Sequence, residues 1–103
     1  MYKIEYLKIA KKDIDDIIFY IRYNLNNKKA ALTFANLLIK ETNNILKFPY
    51  GNAEYLPIKS LKKVYRKCKV KNYLIFYTIN EVTNVITIVR VLCSKRDLNK
   101  ILN

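Results

Sequence analysis

Between Lys59 and Lys71 the chain carries Lys59, Lys62, Lys63, Arg66, Lys67, Lys69 and Lys71, with no acidic residue among them. Tyr73 and Tyr77 follow, then Arg90, then Lys95 and Arg96. Guanidinium and ammonium groups stabilise negative charge that develops on a phosphoryl centre. A lysine or tyrosine with a shifted pKa can move the proton. Residues of these types at this density suit work at a phosphodiester, or attachment to a polyanion or an acidic protein segment. Lys62, Lys63 and Lys67 are the candidate target-binding cations, solvated until such a partner arrives. Tyr73 joins them as a ring that either stacks on a base or packs into the core beside Tyr77. Arg66 and Arg90 fall within strand-like sequence, where a lone buried charge is costly. They are expected on an exposed working face of a sheet, with a salt bridge as the alternative.

The chemistry left out is equally informative. The sequence has no histidine, which removes Ser–His–Asp and Cys–His nucleophilic sites and the ordinary His-ligated metal sites. Eight acidic residues, scattered, do not suggest a two-carboxylate hydrolase or a two-metal nuclease. One glycine excludes a phosphate-cradling Gly-rich loop. No cofactor and no metal are expected, and any catalysis must draw on Arg, Lys and Tyr. Cys68 and Cys93 form no CxxC pair and read as free thiols in a reducing compartment.

With 103 residues, about half of them hydrophobic, the chain is expected to form a single domain, 1–103, with a core that needs no staples. The net charge of +12 sets the sign of its partners. No apolar run approaches the roughly 18 residues of a spanning helix. The start, "MYKIEYLKIAKK", lacks the hydrophobic stretch of a signal peptide. A cytoplasmic protein without a membrane partner is expected.

These residues need elements to position them. Met1–Leu7 alternates as a strand with Tyr2, Ile4 and Tyr6 on one face. Ala10, Ile14, Ile17, Ile18, Ile21 and Leu25 then recur at helical spacing, with Asp13, Asp15 and Asp16 early enough to suit the positive end of the dipole. "NLNNKK" interrupts, and a second helix is expected over about 28–47, with a stripe of Ala31, Phe34, Ala35, Leu38, Thr42 and Ile45, ended by Pro49 and Gly51. "VYRKCKV", "YLIFYTI" and "VITIVRVLC" read as three strands. Lys71-Asn72 forms a tight turn in which Asn72 takes positive φ, and "NEVTN" forms the next turn. "SKRDLNKIL" adds one or two helical turns. The expected fold class is α+β: an N-terminal strand, a two-helix hairpin, a three-stranded antiparallel meander and a short C-terminal helix. One antiparallel sheet carries the helices on one face and leaves the other as a working surface.

Ala10, Asp13, Ile14, Ile17 and Tyr20 fit an A-x-x-D-[LI]-x-x-I-x-x-Y pattern. "FPYG" follows, then "YRKCKVKNYLIFYTI", and then "VITIVRVLCSKRDLNKIL". In these motifs the chain resembles the RelE/ParE superfamily of bacterial type II toxins over nearly its whole length, most densely from Arg66 to Asp97. The resemblance implies a toxin that arrests growth and is neutralised by a cognate acidic antitoxin that wraps around it and extends its sheet. RelE-like members are ribosome-dependent, metal-independent mRNA endonucleases, and ParE-like members act on DNA gyrase. The RelE-like pattern often has arginine where this chain has Leu74, and a tyrosine or histidine in a tail that here reads "NKILN". Where a histidine normally follows the fourth strand, the chain has Leu92-Cys93-Ser94. The resemblance therefore leans to gyrase inhibition, with mRNA cleavage as the alternative and a non-catalytic nucleic-acid- or protein-binding module as the third reading. If the chain cleaves RNA, Arg66, Arg90, Lys95, Arg96 and Tyr77 are the candidate catalytic residues. Asp97 is expected to bond Arg96 or to cap the tail helix, with a target contact as the alternative to a fold-holding pair.

Overall fold

The computed structural model describes residues 1–55, 63–95 and 101. Strand β1 spans Lys3–Tyr6 and leads into α1, Lys8–Phe19, which continues as a π-helical turn, Tyr20–Asn24. After α2, Lys28–Lys47, come β2, Arg66–Val70; β3, Tyr73–Asn80; and β4, Val85–Cys93.

The helices form where the apolar stripes require them. Ala10 is fully buried and Ile14, Ile17 and Ile18 pack beside it. The π-helical turn then shifts the phase: the Leu25 amide donates to the Tyr20 carbonyl, one residue further back than in an α-helix. Ile21 stays buried, whereas Leu25, expected on the same stripe, is 55% exposed. Helix α2 starts at the expected residue, because the Asn27 side chain accepts from the Ala30 amide at 2.9 Å. Its buried residues are Ala31, Phe34, Leu38, Thr42 and Ile45, with Ala35 half-buried.

One four-stranded sheet runs in the order β1-β4-β3-β2. Strands β2, β3 and β4 pair antiparallel, as expected of a meander, but β1 lies parallel to β4, with Ile4 opposite Ile86 and Tyr6 opposite Ile88. The sheet is thus mixed and not purely antiparallel. Alternation of apolar residues reports which face a strand buries and says nothing about its direction, which depends on the path of the connections. The short tail helix expected at 94–102 lies outside the described residues apart from Ser94, Lys95 and Ile101.

Of the two turns of the meander, the first differs in detail from expectation and the second lies where it was expected. At the β2–β3 turn the positive φ, 55°, belongs to Lys71 and not to Asn72. The Asn72 carbonyl accepts from the Ser94 amide at 2.9 Å, which ties that residue to the end of β4 and leaves its neighbour to make the turn. At the β3–β4 turn the Asn80 side chain accepts from the amides of Val82 and Thr83, and Asn84 takes a φ of 57°.

The main core lies between the helices and one face of the sheet, where Ile75, Tyr77, Ile86 and Ile88 are fully buried. The opposite face is not the open surface expected of it. Phe76 and Leu92 are buried there against Tyr55, Tyr65, Leu74, Val89 and Ile101. The chain after α2 folds along the outer edge of β2, with the Tyr55 amide donating to the Tyr65 carbonyl and the Lys67 amide donating to the Ala53 carbonyl. Covering an aromatic ring removes more apolar surface from water than leaving it as a flat open face.

The core also holds Cys68, which donates its thiol to Glu41 Oε2 at 3.2 Å. Burial first, and then the bond to the Glu41 carboxylate, push the Cys68 thiol up to about 12. An unfolded thiol titrates at about 8.5. The stabilisation of the neutral thiol is therefore complete below that pH and is lost as pH rises toward the folded value. Alkylation at pH 8 is expected to modify the half-buried Cys93 first, with Cys68 slower by at least about 100-fold until denaturant is added. Mass spectrometry of the labelled peptides measures this; equal labelling rates in the folded chain would contradict it.

Candidate functional surface

Of the expected catalytic residues, Arg66, Tyr77, Arg90 and Lys95 are described, in three different settings. Arg90 is paired in register with Phe76, beside an irregularity between β3 and β4. Its Nε and Nη2 donate to the two carboxylate oxygens of Asp13 at 2.8 and 3.0 Å. The same carboxylate accepts from the Val91 amide at 3.0 Å. The Arg90 and Asp13 side chains are 19% and 12% exposed, and the bond to Asp13 raises the Arg90 pKa further, so the guanidinium is permanently charged. Asp13 is thereby a clamp between α1 and β4. It also sits beyond the first turn of α1, which contains no acid, so the expected dipole role does not apply to it.

Arg66 and Tyr77 face each other across β2 and β3 and together hold the segment after α2. Arg66 Nη1 donates to the Asn52 carbonyl at 2.7 Å, Nη2 lies 3.6 Å from Glu54 Oε2, and the guanidinium stands 4.8 Å from the centre of the Tyr50 ring. Tyr77 is fully buried and donates its hydroxyl to the Pro49 carbonyl at 2.7 Å. Burial raises its pKa; the Asn52 side chain, 3.4 Å away, and nearby Arg66 partly oppose this. A phenol that is buried, protonated and bonded to a carbonyl is a poor proton shuttle at neutral pH. Tyr50 in turn donates to Glu81, which also accepts from Tyr2 at 2.9 Å, so one carboxylate fastens the chain's start and the post-helix segment to the β3–β4 turn.

The exposed-face expectation for Arg66 and Arg90 is corrected by these contacts. A strand-borne guanidinium is cheaper to hold half-buried with a carboxylate or carbonyl than unpaired, and both arginines found such partners. Tyr73 is half-buried, its ring edge-on to Phe34 at 5.2 Å. Its hydroxyl pKa is raised, chiefly by burial. Lys62 and Arg96, with Asp97, fall outside the described residues.

What remains open to a partner is lysine. Lys63, Lys67, Lys69, Lys71 and Lys95 are all exposed and none forms an ion pair among the described residues. Along β2 exposed Lys67 and Lys69 alternate with buried Cys68 and Val70, so one side of the strand is core and the other is positive. Lys67 lies 5.7 Å from the centre of the Tyr55 ring. This strand-borne stripe concentrates exposed positive charge. Among the described residues no group of three or more His, Cys, Asp or Glu side chains is placed to hold a metal, and no helix is long and apolar enough to cross a membrane.

Sequence reasoning missed Asn52, Glu54, Tyr55 and Glu81 as parts of this region. For Asn52, Glu54 and Tyr55 the only signal was local, a run of Asn, Gly and aromatic residues directly after a helix stop; Glu81 stood in the polar turn "NEVTN" with nothing to mark its partners.

A family model described as the ParE toxin of the type II toxin–antitoxin system, parDE, matches residues 4–98. The chain belongs to the ParE toxin family. It is a type II toxin of the RelE/ParE superfamily. Among solved structures, this ParE-family chain is similar to one described as the chromosomal ParDE system from P. aeruginosa, with a TM-score of 0.71, 14% identity, and coverage of 90% of this chain and 96% of that one. It is also similar to a metal-bound toxin from Helicobacter pylori, with a TM-score of 0.63, 24% identity, and coverage of 90% and 94%. YafQ from E. coli gives a TM-score of 0.52 at 19% identity, covering 90% and 93%. At these identities the likeness is one of fold. No curated protein matches the sequence.

Proposed function

We propose that this ParE-family toxin arrests growth by inhibiting DNA gyrase as a binding protein, and that a cognate acidic antitoxin neutralises it. The observation that carries this reading is the engagement of Arg66, Tyr77 and Arg90. A metal-independent RNA-cleaving site needs several cationic and phenolic groups free to converge on one phosphate. Here those three hold the Pro49 and Asn52 carbonyls and the Asp13 carboxylate. Leu74, standing where RelE-like nucleases often carry arginine, packs against Phe76 and Leu92. Binding, unlike cleavage, asks only for a complementary surface, and the exposed lysines of β2 and its turns supply one.

Growth arrest on induction, relieved by co-expression of the adjacent reading frame, tests toxin and antitoxin together. Plasmid DNA isolated from induced cells is expected to lose negative supercoils before bulk mRNA declines. Early loss of mRNA with supercoiling intact would instead favour ribosome-dependent cleavage, with Lys95 and the lysines of β2 as its cationic groups.

The exposed stripe gives a further expectation. Lys67→Glu combined with Lys69→Glu should leave stability within about 0.5 kcal/mol per site, since neither lysine is in the core. It should slow association with the acidic antitoxin by about tenfold or more at low salt, with the difference shrinking as salt is added. Stopped-flow binding reads both; an unchanged association rate would remove the stripe from the interface.

A further inference from the structure

The chain has an open cleft at the end of the molecule where the π-helical turn, the first turn of α2 and the β2–β3 turn meet. Its volume is about 460 Å³, within the range of sites that hold a ligand of several groups. Ile21, Ala30, Phe34 and Tyr73 supply an apolar floor, and Lys29 and Lys71 stand in the lining with them. No acidic residue lines it among the described residues. The first turn of α2 also contains no acid to offset the positive end of its dipole. Leu25, displaced from the core stripe by the π-helical turn, lines the same cleft while 55% exposed.

We propose that this cleft anchors an acidic peptide segment of a protein partner, which inserts one large apolar side chain over Phe34 and Tyr73 and sets carboxylates against Lys29 and Lys71. The inference rests on the reading that the chain works against an acidic protein partner, and it assigns that partner's anchor point. The occupant follows from the two halves of the lining. A nucleic-acid backbone matches the lysines but has no use for a floor of Ile21, Ala30 and Phe34. A second copy of a chain with net charge +12 brings like charge to a positive rim. An acidic segment carrying one aromatic or aliphatic residue satisfies both halves.

Fluorescence anisotropy with the full chain tests this, using as probe a labelled synthetic peptide of glutamates with one central phenylalanine. Saturable binding is expected. It should weaken by at least about tenfold, the ratio that separates a specific anchor from general charge, when serine replaces the phenylalanine. The same loss is expected for Thr33→Trp, which fills the cleft from its exposed rim, and for Lys29→Glu combined with Lys71→Glu. Lys3→Glu with Lys8→Glu makes the same change of charge elsewhere and should leave affinity within about twofold. Circular dichroism identifies any variant that fails to fold; if Thr33→Trp does, the serine peptide and the two charge pairs decide. Equal binding of both peptides, or equal losses in both charge pairs, would overturn the proposal. So would a dimer in sedimentation that Thr33→Trp abolishes, since the occupant would then be a second copy. Failure of induced cells to arrest would count against the toxin reading and leave the peptide measurement intact, so the two failures are distinguishable.

Discussion

Asp13→Ala is expected to destabilise the fold by about 3–5 kcal/mol, the usual consequence of leaving one half of a buried ion pair behind. The carboxylate accepts from Arg90 twice and from the Val91 amide once. Removing it strands a permanent charge and a backbone donor where little water reaches, since Arg90 is only 19% exposed. A domain of this size holds roughly 5–15 kcal/mol in total, so the variant should be close to unfolding. Asp13→Asn keeps an acceptor for the Val91 amide and loses the charge, and its effect should fall between wild type and alanine. Urea unfolding followed by circular dichroism gives the comparison. An alanine variant within about 1 kcal/mol of wild type would show that Arg90 finds other partners. The same contacts mean that toxicity lost in Arg90→Ala must be judged against its folded fraction, because a destabilised toxin is cleared in cells whatever its target.

Tyr77→Ala should be comparably damaging, about 3–5 kcal/mol, because it removes a fully buried ring from between the sheet and the helices. The informative partner is Tyr77→Phe. It keeps the ring and deletes only the hydroxyl that donates to the Pro49 carbonyl, for an expected cost of about 1–3 kcal/mol. That bond is one of the fastenings of the segment after α2; Arg66 to the Asn52 carbonyl is another. Hydrogen exchange in Tyr77→Phe should therefore accelerate first at the amides of Tyr55 and Lys67, which pair with the Tyr65 and Ala53 carbonyls at the edge of β2. Faster exchange throughout the sheet, with no excess at these two amides, would deny Tyr77 its role in holding that segment.

Helix α2 was legible because its signals agreed: a polar break at "NLNNKK", a stripe at 3.6-residue spacing, and Pro49 and Gly51 beyond its end. The antiparallel meander was legible because β-branched and aromatic residues crowd between two polar turns. The direction of β1 was not, since four alternating residues read the same whichever way the strand runs. Leu25 left its stripe because one wider turn rotates everything after it, and nothing in "YIRYN" marks that turn in advance. The arginines were the harder case. Asp13 and Arg90 lie 77 residues apart, and a sequence lists charges without saying which ones meet. Arg66 likewise binds a backbone carbonyl, a partner that every residue possesses. The lysines of β2 fared better, because alternation with Cys68 and Val70 forces Lys67 and Lys69 out of the core.

On the proposed reading, in which the arginines and the buried tyrosine serve the fold, the toxin is expected to occupy its target and not to cut RNA. The most direct measurement adds the purified full chain to purified gyrase with relaxed plasmid, and in parallel to ribosomes translating a defined mRNA. The expected result is loss of supercoiling that follows the toxin-to-gyrase ratio, restored by the acidic antitoxin, while the ribosome-bound message remains intact. Cleavage of that message within ribosomes, with supercoiling unaffected at the same toxin concentration, would contradict it.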